Sequence, residues 1–391
     1  MLAGLIFAVQ DADDRPGTLA ATLPFAGLTV IEYQARLLID AGASQIVVVV
    51  ARLTPELLGA VARIGRRGVT VDTVRTAAEA AAKLHPLARL LMLADGLVTT
   101  EPVIAPLSGE GRDTLLVVSD EDVSGGFERI GGGWLWAGAA RLDARRLGEV
   151  AAMPRDYDVQ SALLHAAAQA GAVHLPLSDG EARAGHGIER RGAALDERSR
   201  AVMAATIAAR PGWFDRWVVR PLARIVLPHA LRRTVPGAAV AAGAGALALS
   251  GWIGIAASYE TLGLALTLAG VTLASLGSAY AWLRDEAGVS RALTIGASVA
   301  PAVAALLLGR AVDLTAGGAT AEVIAVALVA VGAMGERAMK GLARPIWWGS
   351  PPGYLIIVTL LTLLGAPTLG LSIAALYATA TLAAAIEALK R

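Results

Sequence analysis

The sequence predicts an α/β N-terminal domain with a mostly parallel sheet, followed by an all-α six-helix transmembrane bundle. Three observations carry that division. Apolar runs of strand length alternate with helical stretches over residues 1–178. Two runs of more than 20 residues, 235–258 and 261–283, contain no charge at all. The 391-residue chain is 55% hydrophobic and 17% charged, with a formal net charge of +1, and most of its acids and arginines lie before Val235. A soluble domain averages about 25% charged and 45–50% apolar residues. One soluble domain is therefore excluded, and so is a chain embedded from end to end.

In the first part, strands are expected at Leu2–Val9, Gln45–Val50, Val69–Val74, Leu90–Ala94, Thr114–Val118 and Gly133–Trp136. Helices are expected between them, including Val30–Asp40 and Thr54–Ile64. Continuous apolar strands joined by helices mean a parallel sheet covered on both faces. Such sheets take ligands at the carboxyl ends of their strands. Met1–Val9 reads as the first buried strand and not as a secretory leader, because no basic segment precedes it and Asp11, Asp13 and Asp14 follow at once. The domain is expected to end near residue 178.

Residues 179–234 read as a connector. A Gly-rich stretch, DGEARAGHGIERRG, precedes a helix-like ALDERSRAVMAATIAAR. Trp213, Phe214, Trp217, Leu222, Ile225 and Val226 then share a helical stretch with Arg216, Arg220 and Arg224. Arginines four apart line one face, so this stretch reads as an interfacial helix with its arginines toward anionic lipid headgroups.

The last part, 235–391, is expected to cross the membrane at 235–258, 261–283, 292–309, 319–335, 353–366 and 367–386. A span needs roughly 20 residues; the fifth is short, and the last two also suit a re-entrant hairpin around Pro367. Loop charges set the orientation. Arg216, Arg220, Arg224, Arg232 and Arg233, then Arg284 and Arg291, then Arg337, Lys340 and Arg344, then Lys390 and Arg391 fall on one side. The other side offers Glu260, Arg310 and Asp313. Both termini are thus expected on the cytoplasmic side of a cytoplasmic membrane. Small residues such as Gly243, Gly245, Gly263 and Gly270 suit close helix packing, within the bundle or in a homodimer through it.

Composition removes several chemistries. With no cysteine there is no disulfide framework, thiolate metal site, iron–sulfur cluster or cysteine nucleophile. The five histidines are scattered without metal-ligand spacing. Near-neutral charge without a basic run argues against nucleic acid as a partner.

Leu23–Val50, LPFAGLTVIEYQARLLIDAGASQIVVVV, together with LLMLADG at Leu90–Gly96 and DYDVQSALLHAAAQAG at 156–171, resembles the MobA-like nucleotidyltransferases. That resemblance implies a Rossmann-like sheet and a metal-binding aspartate at Asp95, where Mg²⁺ and a nucleotide would sit. It also implies a glycine-rich loop whose N–H groups cradle a triphosphate. Here that loop is AVQDADDRPG, with Gln10 and Ala12 at the glycine positions. The family's Pro-Lys pair falls on Leu19 and Ala20, and Arg15 is the cation nearest to standing in for the lysine. A helix-capping or turn aspartate is the alternative reading of Asp95, of equal weight.

The six spans and the approach WFDRWVVRPLARIVLPHALRRTVPG at 213–237 resemble the CDP-alcohol phosphatidyltransferases. In that family four aspartates hold two divalent ions. The matching positions here are Ala274, Gly277, Ile295 and Val299, and the nearby acids are Asp285 and Glu286 in a loop. The metal-free site is expected to be dry and closed by packing between spans two and three. The order of the two parts resembles the fused inositol-phosphate cytidylyltransferase and di-myo-inositol-phosphate-phosphate synthase proteins. Three functions follow: a catalytically degenerate relative with a binding or partner role in polar-lipid head-group synthesis, an active enzyme of that synthesis with atypical residues, or a membrane carrier or assembly factor.

Overall fold

The structure is a computed structural model that describes residues 1–120, 127–153, 158–180, 184–208, 212–232, 235–284, 286–339, 342 and 344–389, without side-chain detail at 203, 206–208, 227–232 and 283. Asp285, Asp156, Arg233, Lys340, Lys390 and Arg391 lie outside the described residues. The chain divides into two units, Met1–Ala205 and Thr206–Arg391.

In the first unit the strands are β1 Leu2–Ala8, β2 Asp11–Ala12, β3 Arg15–Leu19, β4 Pro24–Phe25, β5 Leu28–Thr29, β6 Gln45–Val50, β7 Thr70–Val74, β8 Arg89–Leu93, β9 Leu97–Val98, β10 Thr114–Ser119, β11 Glu128–Gly131, β12 Trp134–Asp143, β13 Val173–Pro176 and β14 Gly187–Ile188. The helices are α1 Val30–Asp40, α2 Pro55–Gly65, α3 Ala77–Lys83, α4 Glu101–Ser108, α5 Arg145–Ala151, α6 Val159–Gln169 and α7 Gly192–Ala208.

The main sheet runs β13-β10-β12-β8-β1-β6-β7, with β11 beside β12. Strands β1 and β6 are buried on both faces along nearly their whole length, as their unbroken apolar sequences require. α1 begins on a capping box, in which the Thr29 hydroxyl accepts from the Glu32 N–H and the Glu32 carboxylate reaches back to the Thr29 N–H. The same carboxylate takes Arg63 of α2, tying the first two helices together.

Two features differ from the expectation. The strand expected at Gly133–Trp136 runs on to Asp143 and lies antiparallel to both β8 and β10. Apolar periodicity carries no strand direction, so only the pairing could reveal this. The first unit also extends past residue 178: β14 pairs with β9, and α7 buries Leu195 and Val202 against Phe25, Tyr33 and Val98. Residues 179–205 therefore belong to this unit rather than to a separate connector.

The second unit holds α8 Arg220–Arg232, α9 Gly237–Ala256, α10 Glu260–Leu283, α11 Ala287–Ala316, α12 Thr320–Ala338, α13 Pro351–Leu363 and α14 Pro367–Leu389. Among the described residues, four helices are long and apolar enough to cross a membrane: α9, α10, α11 and α14. α12 carries Glu322, Glu336 and Arg337 within its 19 residues. α13 has 13 residues, about 20 Å of helix against a hydrocarbon core of about 30 Å.

α9 and α10 pack at backbone distance through their glycines. A Cβ on Gly263 would lie 2.5 Å from the Gly251 carbonyl oxygen, and one on Gly270 would lie 2.9 Å from the Ala244 carbonyl oxygen. A single π-helical turn, Asp215–Val219, precedes α8, closed by the Arg220 N–H on the Asp215 carbonyl. The wider turn brings Phe214 and Val219, five residues apart, onto one buried face with Ala223.

Candidate functional site

Sheet order reverses at β1. The chain moves outward through β6 and β7, then returns on the other side of β1 as β8. A crevice opens beyond the carboxyl ends of the strands at such a reversal, and open α/β sheets take ligands there. Two segments meet at that point: Val9 and Gln10, just after β1, and Asp95, two residues beyond β8.

Asp95 Oδ2 accepts the backbone N–H groups of both Val9 and Gln10 at 2.8 Å. The Asp95 N–H donates to Gln160 Oε1 at 3.0 Å. Asp95 Oδ1 is buried with no hydrogen-bond partner among the described residues. The residue is 2% exposed. Burial pushes its pKa up to about 6; the two amides and the Arg190 charge pull against that rise, and Asp158 adds to it.

The loop after β1 folds back as the β2–β3 hairpin. The carboxylates of Asp11 and Asp14 are held by neighbouring groups. Asp11 pairs with Arg52, which also donates to the Gly17 carbonyl. Asp14 Oδ2 accepts the Gly192 N–H at 2.8 Å. The Asp13 N–H donates to the Arg190 carbonyl at 3.1 Å.

Residues 186–192 thus form a strap beside the crevice. The Glu189 N–H donates to the Gly96 carbonyl at 2.9 Å. Gly96 has φ +75°, and a Cβ there would lie 2.7 Å from the Glu189 carbonyl oxygen, so only glycine lets the strap approach. The Glu189 carboxylate accepts the N–H groups of Arg190 and Arg191 and pairs with the Arg191 and Arg198 side chains.

The structure places Asp95 at the strand ends, as a hydrogen-bonded anchor for the loop. Arg15 is exposed at the start of β3, next to Asp14 and Gly192, and no hydrogen bond or ion pair joins it to Asp95. Leu19 and Ala20 are buried in the core, so no cation stands at the lysine position. Arg190 and Gln160 were missed. Gln160 lies in the 156–171 stretch that carried the resemblance, and Arg190 in the Gly-rich stretch that read as a linker.

A magnesium ion at Asp95 would find one open carboxylate oxygen. Among the described residues no cluster of three or more His, Asp or Glu side chains can hold a metal. Magnesium is commonly held by one or two carboxylates together with substrate phosphates and water. Asp95 Oδ1 fits such an ion only where a bound phosphate supplies further oxygens.

In the second unit the four positions matching the metal-binding aspartates do not converge. Ala274 is buried, whereas Ile295 and Val299 are 57% and 48% exposed. A Cβ on Gly277 would lie 2.6 Å from Val240 Cγ1 and 3.1 Å from Leu293 Cδ1. Gly277 is therefore closed in by α9 and α11. Ala274 and Val299 instead line an apolar groove of about 270 Å³ between α9, α10 and α11, which corrects the expectation of a fully packed interface. The groove's lining offers no oxygen donor suited to a divalent ion, and none of the four positions fits one. Glu286 accepts from Arg284 Nε at 3.0 Å.

On the amphipathic stretch, Arg216, Trp217, Arg224, Ile225 and Val226 are exposed and Arg220 is half-buried. The Arg216 guanidinium stacks over the Trp217 ring at 5.8 Å.

No protein-family model matches the chain, and no curated protein matches its sequence. Three solved structures resemble its N-terminal part, each with a TM-score of 0.36. The inositol-1-phosphate CTP transferase from T. maritima is 12% identical, with 45% of this chain and 85% of that one covered. The CTP:phosphocholine cytidylyltransferase from Streptococcus pneumoniae is 15% identical, with 46% and 91% covered. A UDP-glucose pyrophosphorylase complexed with UDP-glucose is 10% identical, with 52% and 98% covered. At such identities and scores none of them decides the chemistry of this chain, which rests on its own geometry.

Proposed function

We propose that this chain is a membrane protein of polar-lipid head-group synthesis, with a nucleotidyltransferase-like first unit and a six-span, CDP-alcohol phosphatidyltransferase-like second unit. It is catalytically degenerate, and it serves as a binding protein for a phosphorylated ligand or as a partner of an active enzyme. The observation that carries this reading is the state of the loop after β1. Its amides at Val9 and Gln10, the groups a phosphate cradle would present, are both held by Asp95 Oδ2. An anionic ligand would have to displace a carboxylate to reach them. The apolar set Ala274, Gly277, Ile295 and Val299 supports the same reading for the second unit, because two dications there would lack any carboxylate.

The unpartnered Asp95 Oδ1 favours a second reading, an active nucleotidyltransferase with an atypical site. A pyrophosphate-release assay separates the two. The full chain in detergent, given CTP, Mg²⁺ and inositol 1-phosphate, is expected to release no more than trace pyrophosphate. Robust release that disappears in Asp95→Ala would establish the active enzyme and defeat degeneracy in the first unit. For the second unit, an anomalous-scattering map with Mn²⁺ is expected to show no ion pair within the bundle; two ions about 4 Å apart would overturn that part.

The protein sits in the cytoplasmic membrane with both termini inside. Its amphipathic stretch around Arg216, Arg220 and Arg224 lies at the lipid headgroups. Four residues, 233–236, separate the end of α8 from the start of α9, so a spanning α9 keeps α8 at the membrane surface.

A further inference from the structure

We infer that Arg190 is the phosphate-binding cation of the first unit, carried to the crevice by the 186–192 strap in place of the loop cation that the sequence lacks. This rests on the reading of the crevice as a site for a phosphorylated ligand. Most of the cations around the β1 loop are already committed. Arg52 is committed to Asp11 and to the Gly17 carbonyl. Arg191 and Arg198 are committed to Glu189, and Arg198 also donates to the His186 carbonyl. Arg15 is exposed beside Asp14. Ala20 fills the lysine position with a buried methyl group.

Arg198 Nε is also buried without a hydrogen bond, but its guanidinium is held by Glu189 and the His186 carbonyl, whereas that of Arg190 has no such partner among the described residues. The Arg190 backbone is fixed on both sides: the N–H donates to Glu189 Oε1, and the carbonyl accepts from the Asp13 N–H. Its stem runs beside Gly96. Its side chain makes no hydrogen bond or ion pair with the described residues, and Nε is buried without an acceptor. Its charge reaches Asp95, whose Oδ1 is another buried polar atom without a partner among the described residues.

A buried guanidinium N–H without an acceptor is destabilising, and more so because it is charged. The strap nevertheless holds it there with backbone hydrogen bonds on either side. A phosphoryl oxygen supplies the missing acceptor, and the planar guanidinium suits its geometry. The same chemistry arises from two sources, the phosphates of a nucleotide or the monoester of a polyol phosphate.

The test is calorimetric titration of the full chain in detergent, with Mg²⁺ present, using CTP, inorganic pyrophosphate and glycerol 1-phosphate as separate probes. Arg190→Met keeps the stem and removes the guanidinium. Arg191→Met removes a neighbouring strap arginine already paired with Glu189. Thermal melting establishes that each variant is folded, and Arg190→Lys, which keeps a charge at the same place, decides if Arg190→Met melts early. The expected result is at least a tenfold loss of CTP and pyrophosphate affinity in Arg190→Met, a smaller loss in Arg190→Lys and none in Arg191→Met. A loss confined to glycerol 1-phosphate also supports the assignment and makes the polyol phosphate the source. Equal binding by the wild type and Arg190→Met overturns the role of Arg190 and leaves the crevice a phosphate site. Absence of binding to any probe by the wild type overturns the phosphate-site reading and this inference with it.

Discussion

Asp95 keeps both hydrogen-bonded amides on one oxygen and leaves the other oxygen buried and open. An asparagine that places its Oδ1 on the two amides would keep both bonds and remove the buried charge. The raised pKa gives the sign of the pH effect. The folded state holds the proton up to about pH 6, whereas the unfolded side chain releases it near 3.8. The stabilisation is therefore fully present below 3.8 and lost as pH rises through 6. Holding the proton to about pH 6 instead of 3.8 is worth about 3 kcal/mol. Acidifying from pH 7.5 to 5 should stabilise the wild type relative to Asp95→Asn, and near pH 7.5 the variant should be the more stable protein. Paired thermal melts at the two pH values check this; a difference that does not move with pH refutes it. Gly277 supplies a second prediction. Gly277→Asp, which restores a carboxylate at a metal position, drives a Cβ into Val240. It should cost several kcal/mol through overpacking and an unpaired buried charge. Loss of a monodisperse, cooperatively melting protein in detergent is the expected outcome, and a wild-type melt would show that the bundle can open there.

At the scale of the element, the π-helical turn decides what the amphipathic stretch presents. In an unbroken α-helix Phe214 and Val219 would lie about 140° apart, at about 100° per residue. With the wider turn both are buried, and Trp217 is left 69% exposed among exposed arginines. The chain has no cysteine, so single cysteines report cleanly. A nitroxide at Trp217→Cys should be accessible to oxygen, as in the acyl region, and one at Arg224→Cys to a polar nickel reagent, as at the headgroups. The reverse pattern would remove this stretch from the interface. Deleting Val218 leaves Phe214 and Val219 four residues apart, about 40° in a regular α-helix, so both should keep their buried face and the melting temperature should barely move. A melting temperature lowered by several degrees would mean that the wide turn packs in its own right.

The whole molecule joins a sheet domain to a bundle whose loops differ in charge. Tyr259, exposed in the turn between α9 and α10, and Glu286, just before α11, should lie on opposite sides of the membrane. In intact cells an impermeant maleimide should label Tyr259→Cys and spare Glu286→Cys until the membrane is broken. Labelling with the opposite preference would invert the topology.

How much of this was legible follows from the range over which each signal acts. Gln45–Val50 and Val30–Asp40 were readable to the residue, because an unbroken apolar run and a Thr29–Glu32 capping box are local. The four apolar helices that can cross a membrane were readable for the same reason, since hydropathy is summed within one segment. Asp95 was readable as a strand-end carboxylate. Which way β12 runs, which amides Asp95 holds and which arginine faces it were decided by contacts between residues far apart in sequence. Asp95 lies 86 and 85 residues from Val9 and Gln10, and the strap reaches the crevice because β14 pairs with β9. The sequence alone determined the two-part plan and the absence of glycines and carboxylates where the resembled families use them. The tertiary structure alone decided that Asp95 occupies the loop's amides and that Arg190 lies beside Gly96 with its charge in reach of Asp95, since partner choice depends on which distant segments folding brings together.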